Sequence, residues 1–215
     1  MLITMIDIKE ILDVLAGKRP IFHSETDFQH ALAWAIHLQD LTCSIRLEFK
    51  PPQLGKRAHL DIWAVDKSTI LVIELKYKTR MLDVRIGQES FHLLDQSAQD
   101  LARYDFLKDI HRLEQIVFST TNSMGYAVFL TNDSAYWKPP RNSGTVDADF
   151  RIHQSRVLTG NLHWGSGASK GTVRGREDAI SIKGVYSLNW QDYSKPSRAS
   201  YGKFRYLLVE VGNQK

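Results

Sequence analysis

Two apolar runs, HLDIWAV over His59–Val65 and ILVIELKYK over Ile70–Lys78, flank the turn-forming residues DKST. Together they predict a β-hairpin. In the second arm Leu71, Ile73 and Leu75 share one face while Val72, Glu74 and Lys76 share the other. Aliphatic residues on both faces mark a central strand. A carboxylate and an ammonium are costly in such a strand unless they have partners. Folding the hairpin brings Asp61 on the first arm close to Glu74 on the second. Two explanations of the charges remain open: a structural ion-pair cluster, or part of a metal and catalytic site.

The surrounding chain supplies the rest of a mixed α/β core. An amphipathic helix is expected near the start on Ile8, Ile11, Leu12 and Leu15. A second begins at Ser24, where SETD is a helix-start signature, and continues through Phe28, Leu32, Ala35 and Ile36. TCSIRLEFK is strand-like and stops at Pro51-Pro52. A long helix is expected from about Glu89 to Leu113, with an apolar stripe of Phe91, Leu94, Ala98, Leu101 and Ala102. Gln96, Gln99 and Arg103 would flank that stripe. Strands follow at YAVFLT, AISIKGVYSLNW and KFRYLLVEV. The fold class expected is α/β, a central mixed β-sheet flanked by helices with a β-rich C-terminal extension. Residues 1–131 form the core and residues 132–215 a basic extension. The last strand, at about 203–211, returns to the core sheet, giving a single compact domain.

Charge separates the two parts. The chain is net −2 through Thr131 and net +6 from Asn132 onward, which suits contact with a polyanion. Excess surface Lys and Arg would give the same balance. No apolar run approaches the roughly 20 residues that cross a bilayer. The N-terminal residues lack the basic start and apolar block of a signal peptide. Cys43 is the single cysteine, which excludes an internal disulfide and a cysteine zinc cluster. A soluble, intracellular (cytoplasmic) protein is expected, with no membrane partner.

Two adjacent carboxylates repel each other unless a cation lies between them. Oxygen ligands favour a hard ion such as Mg²⁺, which needs only one or two protein carboxylates. Such an ion polarises a phosphoryl oxygen and activates water, and Lys76 would orient that water or offset developing charge.

Asp61, twelve intervening residues and then Glu74-Leu75-Lys76 resemble the core pattern of the PD-(D/E)xK nuclease superfamily, the restriction-endonuclease-like fold. Leu60 stands where that family has Pro. The family often carries a further acid in the helix before the sheet, and Glu25 matches it. Glu48-Phe49-Lys50 is a second E-x-K, without an Asp on a matching hairpin arm. The resemblance spans roughly Ser24 to Thr131. It implies a nuclease that hydrolyses phosphodiester bonds in DNA by a metal-activated water. Asp61, Glu74 and Glu25 would serve Mg²⁺ or Mn²⁺, and Lys76 would assist the nucleophile. Some branches bring a Gln from the following helix to the site, which puts Gln99 beside it.

Lys78 shares a strand face with Lys76, and Gln96, Gln99 and Arg103 could touch the site or a phosphate backbone. Lys170, Arg174 and Arg176 on the glycine-rich loop are candidates for phosphate contact. Trp137 and Trp164 fit core or hairpin packing better than stacking on bases. Two alternatives stay open: a catalytically silent nucleic-acid-binding module on the same fold, and a nuclease directed at RNA. A homodimer would suit double-strand cutting.

Overall fold

The computed structural model describes residues 6–55, 58–67, 69–142 and 144–212. Helix α1 (Ile8–Lys18) is capped by the Asp7 side chain, which accepts from the Glu10 N–H. It buries Ile8, Ile11, Leu12 and Leu15, the stripe expected from their spacing. Helix α2 (Glu25–Gln39) starts at Ser24, whose hydroxyl accepts from the Asp27 N–H. The Asp27 carboxylate reaches past Ser24 to the His23 N–H and pairs with Arg19.

Strands β1 (Ser44–Phe49), β2 (Leu60–Asp66) and β3 (Thr69–Lys78) form an antiparallel meander. Asp66 pairs with Thr69, so both ends of the expected four-residue turn belong to the ladder. Strands β4 (Leu82–Ile86) and β5 (Glu89–Leu93) make a separate hairpin. Helix α3 (Gln99–Val117) then leads to β6 (Ser123–Thr131), which lies parallel to β3. A short 3₁₀ turn, Ala148–Phe150, precedes β7 (Val157–Leu162). Four-residue helix α4 (Lys170–Val173) and strands β8 (Ile180–Ser187), β9 (Trp190–Ser194) and β10 (Phe204–Val211) complete the chain. The central sheet has the order β1-β2-β3-β6-β10-β9, mixed through the parallel β3–β6 pair.

The expected helix start at Glu89 is wrong, and the reason lies in the period. Phe91 and Leu93 are buried while Leu94 is 76% exposed, an alternation of two instead of a helical stripe. Gly87, at φ +60°, turns β4 into β5. Ala98, at φ +66°, sets the chain off before α3. Gln96 therefore precedes the helix and shares no helical face with Gln99 and Arg103.

Two cores sandwich the sheet. On one face α1 and α2 pack Leu12, Phe28 and Leu32 over Ile73, Leu75 and Tyr77. On the other, α3 packs Phe106, Ile110 and Leu113 over Val72, Ala127, Phe129 and Leu207. Gly125 lets α3 come close: a Cβ there would lie 3.1 Å from Val117 Cγ2 and 3.3 Å from Leu113 Cβ. The β7–β8 hairpin locks α3 from outside. The buried Glu114 carboxylate accepts from the N–H groups of Lys183 and Gly184 and from the Tyr186 hydroxyl. A buried carboxylate is tolerated when it accepts several such bonds. This clamp fixes the face of α3 that meets β3. Among the described residues no helix is long and apolar enough to cross a membrane.

Candidate active site

The site forms where β2 and β3 part. Their pairing ends at Ile62↔Ile73, while Leu60 pairs only with Phe49 of β1. In an antiparallel ladder the next narrow pair would be Leu60 with Leu75. The β3 N–H groups left on that side find side-chain acceptors. Leu75 N–H donates to Asp61 Oδ2 at 2.5 Å, and Tyr77 N–H donates to Glu25 Oε2 at 2.7 Å. Glu25 sits in the first turn of α2, so its carboxylate arrives from the helix side to continue the edge that β2 abandons.

Extending the β2–β3 register by one residue places Asp61 opposite Glu74. Extending β1–β2 places Glu48 opposite Asp61. Three acidic residues thus stand in one row across three strands. Glu48 has φ +51°, a left-handed conformation uncommon for a residue with a Cβ. Its Oε1 accepts from Gln29 Nε2 at 2.9 Å, and the same amide donates to the Asp61 carbonyl at 2.7 Å. Gln29 lies one turn beyond Glu25, so α2 holds the row at two points.

Helix α3 covers Glu74 and Lys76 with residues that sequence reasoning missed, Asp109 and Arg112. Arg112 Nη2 is 2.7 Å from Glu74 Oε1 and 2.5 Å from Asp109 Oδ1. Lys76 Nζ lies 2.6 Å from Asp109 Oδ2 and donates to the Leu75 carbonyl at 3.1 Å. The spacing of Asp109 and Arg112 by three puts them on one helix face.

Burial and like charge shape the electrostatics. Burial pushes the Asp61 carboxyl up to about 6, and neighbouring Asp109 and Glu25 add to the rise against the Leu75 N–H and Lys76. Burial also carries Glu74, only 2% exposed, well above the usual carboxylate range. Asp109 and Asp61 reinforce that shift, which Arg112 and Lys76 only partly offset. Burial lowers the Lys76 pKa, but Asp109 and Glu25 outweigh it, and the ammonium ends above its ordinary value. Four carboxylates (Glu25, Asp61, Glu74, Asp109) surround two cations (Lys76, Arg112), a net −2 when all are ionised.

Among the described residues no group of three or more His, Cys, Asp or Glu side chains is arranged to enclose a metal. The carboxylates gathered here are those of Asp61 and Glu74, with Glu25 and Asp109 beside them. That set fits a hard divalent ion that keeps several of its waters and needs one or two carboxylates.

The remaining candidates scatter. Lys78 is half-buried at the end of β3. Gln96 Oε1 accepts from the Thr79 N–H, and its own N–H donates to the Thr79 carbonyl, so it fastens β3 to the segment before α3. Gln99 Nε2 donates to Asp133 Oδ2 at 3.0 Å. Arg103 is corrected to a core residue. It is 3% exposed, paired with Asp147 at 2.8 Å and bonded to the Ala135 carbonyl, which leaves no face for phosphate. Arg176 grips Asp105 of α3 through two bonds of 2.7 Å, so it docks its loop instead of presenting a free cation. Lys170 and Arg174 are exposed. Trp164 stacks on Tyr104 with rings 5.7 Å apart and lies edge-on to Phe150. Trp137 packs beside Trp190. Comparison with protein-family models, curated proteins and solved structures finds no match.

Proposed function

We propose that the chain is a divalent-metal-dependent phosphodiesterase acting on nucleic acid, DNA in the first place, on the PD-(D/E)xK plan. The observation that carries this is the charge imbalance at the parting of β2 and β3. Asp61 and Glu74, both with raised pKa values, belong to a group of four carboxylates around two cations. A purely structural network would be expected to close its charge, because uncompensated buried carboxylates are costly. A carboxylate group whose members resist ionisation until a further cation arrives suits a site that receives one.

Asp61 and Glu74 would hold Mg²⁺ or Mn²⁺, with Glu25 supporting from α2. The ion supplies Lewis-acid polarisation of a phosphoryl oxygen. Asp61 is oriented by the Leu75 N–H, and Arg112 offsets part of the cost of ionising Glu74, the rest falling to the bound ion. Lys76, its side chain 17% exposed, places a fixed positive charge at the mouth of the row, where it offsets charge developing on the scissile phosphate. Asp109 holds that ammonium in place. This geometry is indifferent to the sugar, so RNA is an outcome of the test.

One observation favours a second reading, a nucleic-acid-binding module that does not cut. Arg112 and Asp109 already engage Glu74 and Lys76, as in a closed ion-pair cluster. Incubation with supercoiled plasmid, linear duplex, single-stranded DNA and RNA, each with Mg²⁺, Mn²⁺ or EDTA, separates the two. Cleavage that needs a divalent ion supports the enzyme. Binding without cleavage under all conditions supports the module.

A further inference from the structure

A cleft of about 480 Å³ opens where β3 and β6 end, lined by Trp137, Lys195, Arg198, Tyr201 and the hydroxyls of Ser134 and Ser200. Ligands of open α/β sheets bind beyond the carboxyl ends of parallel strands, and β3–β6 is the parallel pair of this sheet. Phe129 is the register partner of Lys76, and Asn132, three residues further on, lines the cleft. At roughly 3.3 Å per residue the cleft lies about 10 Å along the sheet from the Lys76 row.

The loop that forms the outer wall is built rigidly. Gly202 N–H donates to the Ala199 carbonyl, and Ala199 N–H donates to Ser197 Oγ. A Cβ on Gly202 would fall 2.8 Å from the Ser197 carbonyl carbon and overlap its oxygen, so the loop closes this tightly only around glycine. Asn132 Nδ2 donates to the carbonyls of Arg80 and Tyr201, which ties the loop to the end of β3. The Arg80 guanidinium lies 4.9 Å from the Tyr201 ring centre, on the same wall. Lys195 and Arg198 are exposed and enter no ion pair among the described residues, whereas Lys203 and Arg205 both pair with Asp192. Two cations without ion pairs among the described residues, two serines, the Tyr201 ring on the preorganised wall and Trp137 across from it, half-covered by Arg205 and Trp190, form the chemistry of a sequence-tolerant single-strand groove.

The geometry points to this cleft as a binding subsite for the phosphodiester backbone of a single nucleic-acid strand, gripped by Lys195 and Arg198 and stacked on Tyr201 or Trp137. It rests on the nucleic-acid substrate proposed above, but not on cleavage. The strand leaving the Asp61–Glu74 site would run toward the carboxyl end of β3 into it.

The test is fluorescence anisotropy with a labelled oligothymidylate in EDTA across a salt series, so that cutting cannot intervene. The double variant Lys195→Ala/Arg198→Ala alters only exposed side chains. It should weaken binding on the order of tenfold and reduce the salt slope by about 1.4, two contacts at roughly 0.7 each on single strands. Gly202→Ala should weaken binding without changing charge. Lys170→Ala/Arg174→Ala, an equal charge change on another loop, should have the smaller effect. Unchanged affinity and slope in the first variant would overturn the subsite, as would equal losses in the two double variants or no binding by the parent. Binding through the cleft by a protein that cuts nothing would leave the subsite standing and remove the nuclease.

Discussion

Asp61 Oδ2 accepts the Leu75 N–H at 2.5 Å, where the β2 backbone has already left β3. A side chain thus completes a ladder that the main chain abandons, and the strand edge becomes a row of oriented carboxylates. The bond orients Asp61 but does not make its charge comfortable, because burial still raises its pKa to about 6.

That raised pKa has a direct consequence for stability. The folded chain holds the Asp61 proton more tightly than the unfolded chain, whose value lies near the ordinary 3.8. The stability from this group is complete below about 3.8 and is lost as the pH rises through about 6. Above that, ionised Asp61 costs the metal-free fold on the order of 3 kcal/mol. Asp61→Asn keeps an acceptor for Leu75 and should be more stable than the parent at neutral pH in EDTA. The advantage should vanish at about pH 4. Urea denaturation at both pH values measures this, and equal stability of the two proteins at neutral pH would refute it.

A divalent ion should relieve the same cost. At a hundredfold excess over its Kd, Mg²⁺ or Mn²⁺ should add about 2.7 kcal/mol of stability. Glu74→Gln should abolish the thermal shift. A shift that survives in the variant would place the ion away from Glu74.

Lys76 should act on the transition state more than on binding. Lys76→Ala is expected to slow single-turnover cleavage by about 10²–10³ while nucleic-acid affinity changes little. A parent-like rate would remove Lys76 from the chemistry.

Gln29 should be a structural keystone of the row. Gln29→Leu leaves the Asp61 carbonyl and Glu48 without their donor, at a cost of about 1–3 kcal/mol for the unsatisfied group. Chemical denaturation measures the loss. An unchanged midpoint would mean that water replaces the amide.

The central part of this architecture was legible because its signals are local. The run LVIELK sits in a strand buried on both faces, and the short turn pairs β2 with β3 as far as Ile62↔Ile73, one residue short of Asp61 and Glu74. Ser24 caps α2 as its sequence signature implies. The segment before α3 misled because Phe91, Leu94 and Ala98 mimic helical spacing over two turns, while Gly87 and Ala98 break the backbone there. Asp109 and Arg112 were illegible for a different reason. Charged residues three apart on a helix usually face solvent, and here the packing of α3 on the sheet, with Glu114 held from outside, turns this pair toward β3. Glu48 was set aside for want of an upstream Asp. Its place in the row depends on the β1–β2 register and a left-handed backbone, neither written in the local sequence. Arg103 and Arg176 looked like phosphate contacts until Asp147 and Asp105 claimed them across more than forty residues of chain.

The most direct measurement is single-turnover cleavage of labelled duplex and single-stranded DNA by the parent and by Glu74→Gln, with saturating Mn²⁺ or Mg²⁺ and with EDTA. Affinity is measured alongside in EDTA. The parent should cut only with a divalent ion, and Glu74→Gln should be slower by about 10² or more at unchanged affinity. Equal rates for the two proteins, cutting in EDTA, or no cutting of either substrate by the parent would contradict a metal-dependent deoxyribonuclease centred on Asp61 and Glu74.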